Sequence, residues 1–213
     1  MSKQLKVDID AWADGGRIPE EYAFCAPAEK NHCTMGKNLS PAIRWTDVPS
    51  GTKSFAIICH DPDVPSKPDN VNKEGLVVPA DLPRVDFFHW VLVDVAADIH
   101  ELPKGAESDG IKPGGKPPGP SQYGLRGINS YTDWFASDAE MKGDYGGYDG
   151  PCPPWNDEIV HHYHFTVYAL AVPSLGLSGR FSGPDALRAL NPHVLAKGTW
   201  TGTYSLNPSV NAR

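Results

Sequence analysis

The sequence predicts an all-β sandwich or barrel carrying one small helical appendage near its C-terminal end. Three observations lead there. Six segments are dominated by Val, Ile, Thr, Tyr, Phe and Trp, the residues that fit a pleated surface. Gly 21 and Pro 21 in 213 residues stand well above the usual share of about 12%, which favours turns and ordered loops over a helix bundle. Only one stretch carries helix start and stop signals.

Leu5, Val7, Ile9 and Ala11 alternate with Lys6, Asp8 and Asp10, the period of a half-buried strand. Ala42 to Thr46 is a second strand. Ser54 to His60 (SFAIICH) is a third, apolar enough to be covered on both faces. Asp86 to Val95, His161 to Val172 and Thr199 to Leu206 complete the set. In SGPDALRALNPHVLAKG, Ser182 or Gly183 caps a helix with Pro184 in its first turn. Asn191-Pro192 ends that helix and starts another short one, and Gly198 closes it before the last strand. Lys104 to Pro120 holds five Gly and four Pro, so neither helix nor strand is expected there. It reads as a surface loop within one domain spanning 1–213, the insert running from about 104 to 147. Ser121 to Trp155, rich in aromatics and turn formers, has the character of a functional or self-packed loop.

With 19 basic against 26 acidic residues, the net charge is −7, so general nucleic-acid binding is disfavoured. No apolar run approaches the roughly 18 residues of a transmembrane span, and MSKQLKVDIDAW has no signal-peptide core, so a cytoplasmic protein is expected. Cys25, Cys33, Cys59 and Cys152 form no CxxC and no zinc-finger spacing. Cys25 and Cys33 would close a small loop in an oxidising compartment, but reduced thiols are the expectation.

Gly110 to Pro117 has the G-x4-G-K frame of a phosphate loop, but Pro117 replaces the magnesium-binding hydroxyl and no strand precedes it, so the match is fortuitous. No G-x-S-x-G and no HExxH exists. His60-Asp61-Pro62-Asp63-Val64-Pro65 makes a stiff acidic strand end, or a plain solvated turn. In HHYHF, His161, Tyr163 and Phe165 share one strand face while His162 and His164 share the other. This arrangement fits a pocket at a sheet end. It also fits one core histidine with surface companions. Chelation by His162 and His164 lacks an identifiable third ligand. His89, inside an apolar strand, must find a partner or stay neutral and desolvated.

Together these segments resemble the phosphatidylethanolamine-binding protein family, in its bacterial and archaeal Raf-kinase-inhibitor-like branch. The matching stretches are Leu39 to Pro65, Phe87 to Val95, Tyr148 to Leu170 and His193 to Tyr204, in the family's order. The resemblance implies a Greek-key β-sandwich with a short helical element before the last strand. It also implies a pocket for phosphate, acetate or a phosphorylated head group, with no cofactor. Carried over by motif, the ligand-binding residues are Asp61, Pro65, His89, His161 and Tyr163, with Gly150 and Pro153 of the GPCPP loop lending backbone N–H groups. The bond before Pro65 is expected to be cis. His162 stands where many relatives carry Arg, the insert is longer than in compact relatives, and no C-terminal helix is recognisable after Tyr204. The expected function is a binding module for such anions, with a protein partner such as a kinase or protease, or a homodimer, also open. The alternative is a hydrolase using histidine as general base with Asp61 orienting it.

Overall fold

The fold is described from a computed structural model, which covers residues 4–211. The ends of the expected 1–213 unit, residues 1–3 and 212–213, lie outside the described residues. In chain order the strands are β1 (Lys6–Asp8), β2 (Cys25–Pro27), β3 (Cys33–Met35), β4 (Ile43–Thr46), β5 (Ser54–Pro65), β6 (Arg84–Ala96), β7 (Glu101–Leu102), β8 (Gly119–Pro120), β9 (Leu125–Arg126), β10 (His161–Leu170) and β11 (Val194–Tyr204). Three short helices join them: α1 (Tyr131–Trp134), α2 (Gly183–Leu190) and α3 (Pro208–Asn211).

The strands pair into a six-stranded sheet, β11-β10-β5-β6-β9-β8, a three-stranded sheet, β1-β4-β7, and the hairpin β2-β3. Every named strand pairing is antiparallel, as hairpin-rich β folds require. β4 shows the logic of one face buried: Ile43 and Trp45 face in, Arg44 and Thr46 face out. Arg44 ion-pairs with Asp8 and Asp10 on that open side. β5 is apolar throughout because both its faces are covered. Phe55, Ile57 and Cys59 join Val7, Ile43 and Trp45 in the core between the two sheets. Ala56 and Ile58 meet Phe181, Ala186 and Leu190 around α2 on the opposite face. The Ser182 hydroxyl accepts from the Asp185 N–H and the Asp185 carboxylate returns the bond, a capping box that fixes where α2 begins.

Several expectations are corrected. The first strand pairs only over Lys6–Asp8, because Asp10 and Ala11 already turn. Gly198 lies inside β11 rather than stopping the chain before it. A Cβ there would collide with the Leu5 carbonyl, so close backbone approach explains the glycine. Lys104 to Pro120 contains a strand: Gly119–Pro120 pairs with β9, and β9 extends the edge of β6. The insert is also not a mere surface loop. Lys116 reaches in to the Asp149 carboxylate at 2.8 Å, and Arg126 holds the buried Glu107 at 2.7 Å, so polar anchors replace the missing apolar residues. A single-turn helix, α3, follows Tyr204 where none was expected. No peptide bond among the described residues is cis. The bond before Pro65 is trans, continuing the extended pairing of Val64 with Val85 and Pro65 with Arg84. Finally, Cys25 is bonded to Cys152, while Cys33 and Cys59 are free. Across the β2-β3 hairpin Cys25 stands opposite Met35 rather than Cys33. The GPCPP loop, docked by the Pro151 carbonyl accepting from the Phe24 and Cys25 N–H groups, brings Cys152 to a Cα–Cα distance of 4.8 Å.

Candidate functional site

A cavity of about 380 Å³ opens at the end of the large sheet where β5, β6 and β10 run past one another. Asp61, Pro65, His89, Pro153, His161 and Tyr163 all line it, so six of the seven residues expected from the sequence converge there. Gly150 does not. Its N–H donates to Asn38 Oδ1 at 2.8 Å and its carbonyl accepts from the Tyr131 hydroxyl at 2.7 Å. A Cβ on Gly150 would strike the Tyr22 carbonyl, so this glycine serves packing beneath the wall. Pro151, Pro153 and Pro154 carry no N–H, which leaves Cys152 as the only residue of GPCPP able to lend an amide.

His89 reaches the cavity through a β-bulge. Cys59 pairs with Trp90 and His60 pairs with Phe88, so His89 is the extra residue on β6. Simple alternation would put His89 and Trp90 on opposite faces. The bulge instead lets Trp90 join the core, Phe88 pack against the α2 side and His89 face the cavity. His89 Nδ1 hydrogen-bonds the Asp149 carbonyl at 2.8 Å, and the Asp149 N–H returns to the His89 carbonyl at 2.9 Å. Nδ1 therefore carries the proton, and burial, outweighing the pull of Asp61 and Asp149, lowers the ring's pKa. At neutral pH the ring is uncharged, with Nε2 as its bare acceptor.

His161 is in the opposite state. Nδ1 meets Asp61 Oδ2 at 2.7 Å and Nε2 meets Asp157 Oδ2 at 3.1 Å. Two carboxylates demand two N–H donors, so the ring is an imidazolium. Burial works against that charge, but Asp61 and Asp157 prevail and raise the pKa to about 9. Asp157 continues the series: Arg84 grips it with Nη1 at 2.6 Å and Nη2 at 3.1 Å. Arg84 spends its remaining donors on the carbonyls of Pro79, Leu82 and Asp63. Burial alone would raise the Asp157 pKa; His161 and Arg84 reverse this and hold it below its ordinary value. Asp61, His161, Asp157 and Arg84 thus alternate in sign and sum to zero charge. Asp61 Oδ1 also accepts from the Asp63 N–H at 2.7 Å. Burial, then the charge of Asp61, pushes the Tyr163 hydroxyl well above its usual pKa.

The outward-facing pair separates as its strand face requires. His162 is exposed and binds Asp63 at 2.8 Å through Nδ1, while His164 Nδ1 lies 3.1 Å from the Thr201 hydroxyl. Among the described residues no group of three His, Cys, Asp or Glu side chains is placed to hold a metal ion.

The sequence reading missed the charge partners Asp157 and Arg84, the disulfide, and the aromatic wall. Phe24, Phe87, Tyr131, Trp134 and Phe135 line the cavity, and three of them come from the insert. Asp157 stands four residues before His161, a visible signal, but Arg84 had none. No Lys or Arg is among the described residues lining the cavity.

The chain belongs to the phosphatidylethanolamine-binding protein family: the family model matches residues 8–205. Among its relatives, the UPF0098 protein of Aquifex aeolicus is 34% identical over 214 residues, covering 96% of this chain and 98% of that one. The crystal structure of Escherichia coli YbcL, described as a new member of the mammalian PEBP family, superposes with a TM-score of 0.67 at 26% identity, covering 95% of this chain and 98% of YbcL. A Chlamydia trachomatis homologue, CT736, shares the fold with a TM-score of 0.62 at 24% identity, covering 96% of this chain and 99% of CT736. Among the described residues no helix is long and apolar enough to cross a membrane.

Proposed function

We propose that the protein binds small amphiphilic oxyacids, a phosphate monoester head group, phosphate or acetate among them, without turning them over. The observation that carries this reading is His89: a neutral ring, fixed through Nδ1, with Nε2 as its uncommitted nitrogen among the cavity-lining groups. An oxyacid head meets Nε2 with one shared proton, from either the ring or the ligand. The Cys152 amide is the second donor within the loop. The neutral charge series behind Asp61 removes the repulsion that a lone carboxylate would exert on an acid.

A hydrolase in which Asp61 orients the catalytic histidine is disfavoured on chemical grounds. His161 has both nitrogens protonated and engaged, so it has no lone pair with which to act as base. The cavity-lining cysteines are joined to each other, so neither is a nucleophile.

Calorimetric titration of phosphoethanolamine into wild type and His89→Ala tests the proposal. Wild type binds with uptake of close to one proton, read from buffers of different ionisation enthalpy. Its affinity falls about tenfold from pH 7 to pH 8, because free His89 and free head group have both lost the shared proton by then. His89→Ala gives no saturable heat. Equal heats from the two proteins, or an affinity flat in pH, overturn the proposal.

A further inference from the structure

We propose that the insert tunes this cavity to single-ring aromatic acids; the inference rests on reading the cavity as a binding site. A volume of about 380 Å³ falls in the range of roughly 300–1,000 Å³ typical of pockets that bury whole organic molecules, so an oxyanion alone leaves most of it unfilled. The space beyond the His89 floor is bounded by rings held in fixed orientations. Phe24 and Tyr131 stack at 4.6 Å and 18°, and Tyr131 and Phe135 stack at 5.6 Å and 17°. Phe87 meets Tyr131 edge-on at 5.1 Å and 81°.

The insert locks this wall in place. Tyr131 is tied through its hydroxyl to Gly150 and through its N–H to Asn129 Oδ1 at 3.0 Å. Ser130 is bonded in both directions to Phe88, its N–H donating at 2.8 Å and its hydroxyl accepting at 2.9 Å. α1 therefore cannot shift without breaking contacts to β6 beside His89.

Trp134 differs from these rings. It lines the cavity yet is 50% exposed, and no other ring among the described residues stacks on it. An exposed indole lining the same cavity as a preformed ring wall leaves one stacking partner to be supplied by the ligand. A flat ring there meets Trp134 and the wall together, whereas a saturated ring of equal carbon count is too thick and lacks the π-face. A well-placed ring pair is worth several-fold in affinity, so two give on the order of tenfold.

Binding of methylphosphonate, cyclohexylmethylphosphonate and benzylphosphonate to wild type, Trp134→Leu and Trp134→Phe tests this. Wild type prefers the benzyl over the cyclohexylmethyl compound by about tenfold or more. Trp134→Leu, which keeps apolar bulk at a half-exposed position, lowers that ratio to about threefold, the share left to the ring wall, and Trp134→Phe restores most of it. A wild-type ratio near one, with the cyclohexylmethyl compound still bound, overturns the aromatic selectivity and leaves the binding function standing. A tenfold ratio that survives Trp134→Leu overturns the role given to Trp134. Failure of all three compounds to bind at millimolar concentration overturns the binding function itself, and this inference with it.

Discussion

Raising the pH from 6 to 10 takes the proton from His161, and its cost follows from the contacts around the ring. In the unfolded chain the imidazole titrates near 6.5; between Asp61 and Asp157 it titrates at about 9. A folded pKa above the unfolded one means the folded state holds its proton more tightly. The resulting stability is fully present below pH 6.5 and is lost as the pH rises through about 9. The pKa difference corresponds to about 3 kcal/mol at ~1.4 kcal/mol per unit. In a domain of this size that is roughly 6–12 °C of melting temperature. Other groups titrate in the same window, so the measurement is a difference: urea unfolding of wild type and of His161→Gln at several pH values from 6 to 10. The gap between the two proteins narrows by about 3 kcal/mol from pH 6.5 to pH 9. In parallel, the ring-nitrogen resonances of His161 are those of an imidazolium at pH 7.5. A neutral ring at that pH, or a gap constant across the range, refutes the argument from paired carboxylates.

Two further outcomes follow from the buried anchors. Non-reducing mass mapping finds the Cys25–Cys152 bridge, and Cys152→Ala lowers stability by about 3–5 kcal/mol, since the bridge closes a sequence separation of 127 residues; a Cys25–Cys33 bridge in the map contradicts the structure. Lys116→Ala strips the cation from the buried Asp149 carboxylate, which keeps only Asn38 and Asn129, and costs about 3 kcal/mol in urea unfolding. Adding Asp149→Asn to Lys116→Met recovers much of that loss, and no recovery indicates that the ion pair is not what holds the insert.

The strands were legible because their signal is local. Val, Ile and aromatic runs with period two, and the Ser182 cap three residues before Asp185, state their conformation within a few residues. Strand parity put His161 and Tyr163 on one face, and the structure keeps them there, whereas Asp61 was named through the family resemblance. What stayed hidden, beyond the contact of Asp61 with a histidine that the resemblance implied, were pairings decided by distance in space. Arg84 reaches Asp157 across 73 residues, Lys116 reaches Asp149 across 33, and Cys25 finds Cys152 across 127. The insert was misread because Gly and Pro suppress local periodicity, while its docking depends on two buried ion pairs and a handful of rings. The bulge at His89 was invisible too, for a bulge is a mismatch between two strands and neither strand carries it alone.

Two buried histidines with pKa values driven in opposite directions usually mark an acid and a base. Here the contacts leave His161 no part in such an exchange. His161 owes its raised pKa to carboxylates on both nitrogens, and those contacts leave it neither a lone pair to accept with nor a free proton to give. His89 owes its lowered pKa to burial, with one nitrogen fixed on a carbonyl and the other left as an acceptor. On the proposed binding role the pair divides the work of a receptor. In that role one histidine neutralises the acid Asp61 behind the floor, and the other meets the ligand. Their common neighbour, Tyr163, packs edge-on against His89 at 5.1 Å, and burial, then the charge of Asp61, holds its hydroxyl protonated. On the proposed binding role, His89 Nε2 is the uncommitted ring nitrogen of this floor, and the Tyr163 hydroxyl and the Asn72 side chain line the same cavity. On that reading these polar groups, rather than any Lys or Arg side chain, select the acid.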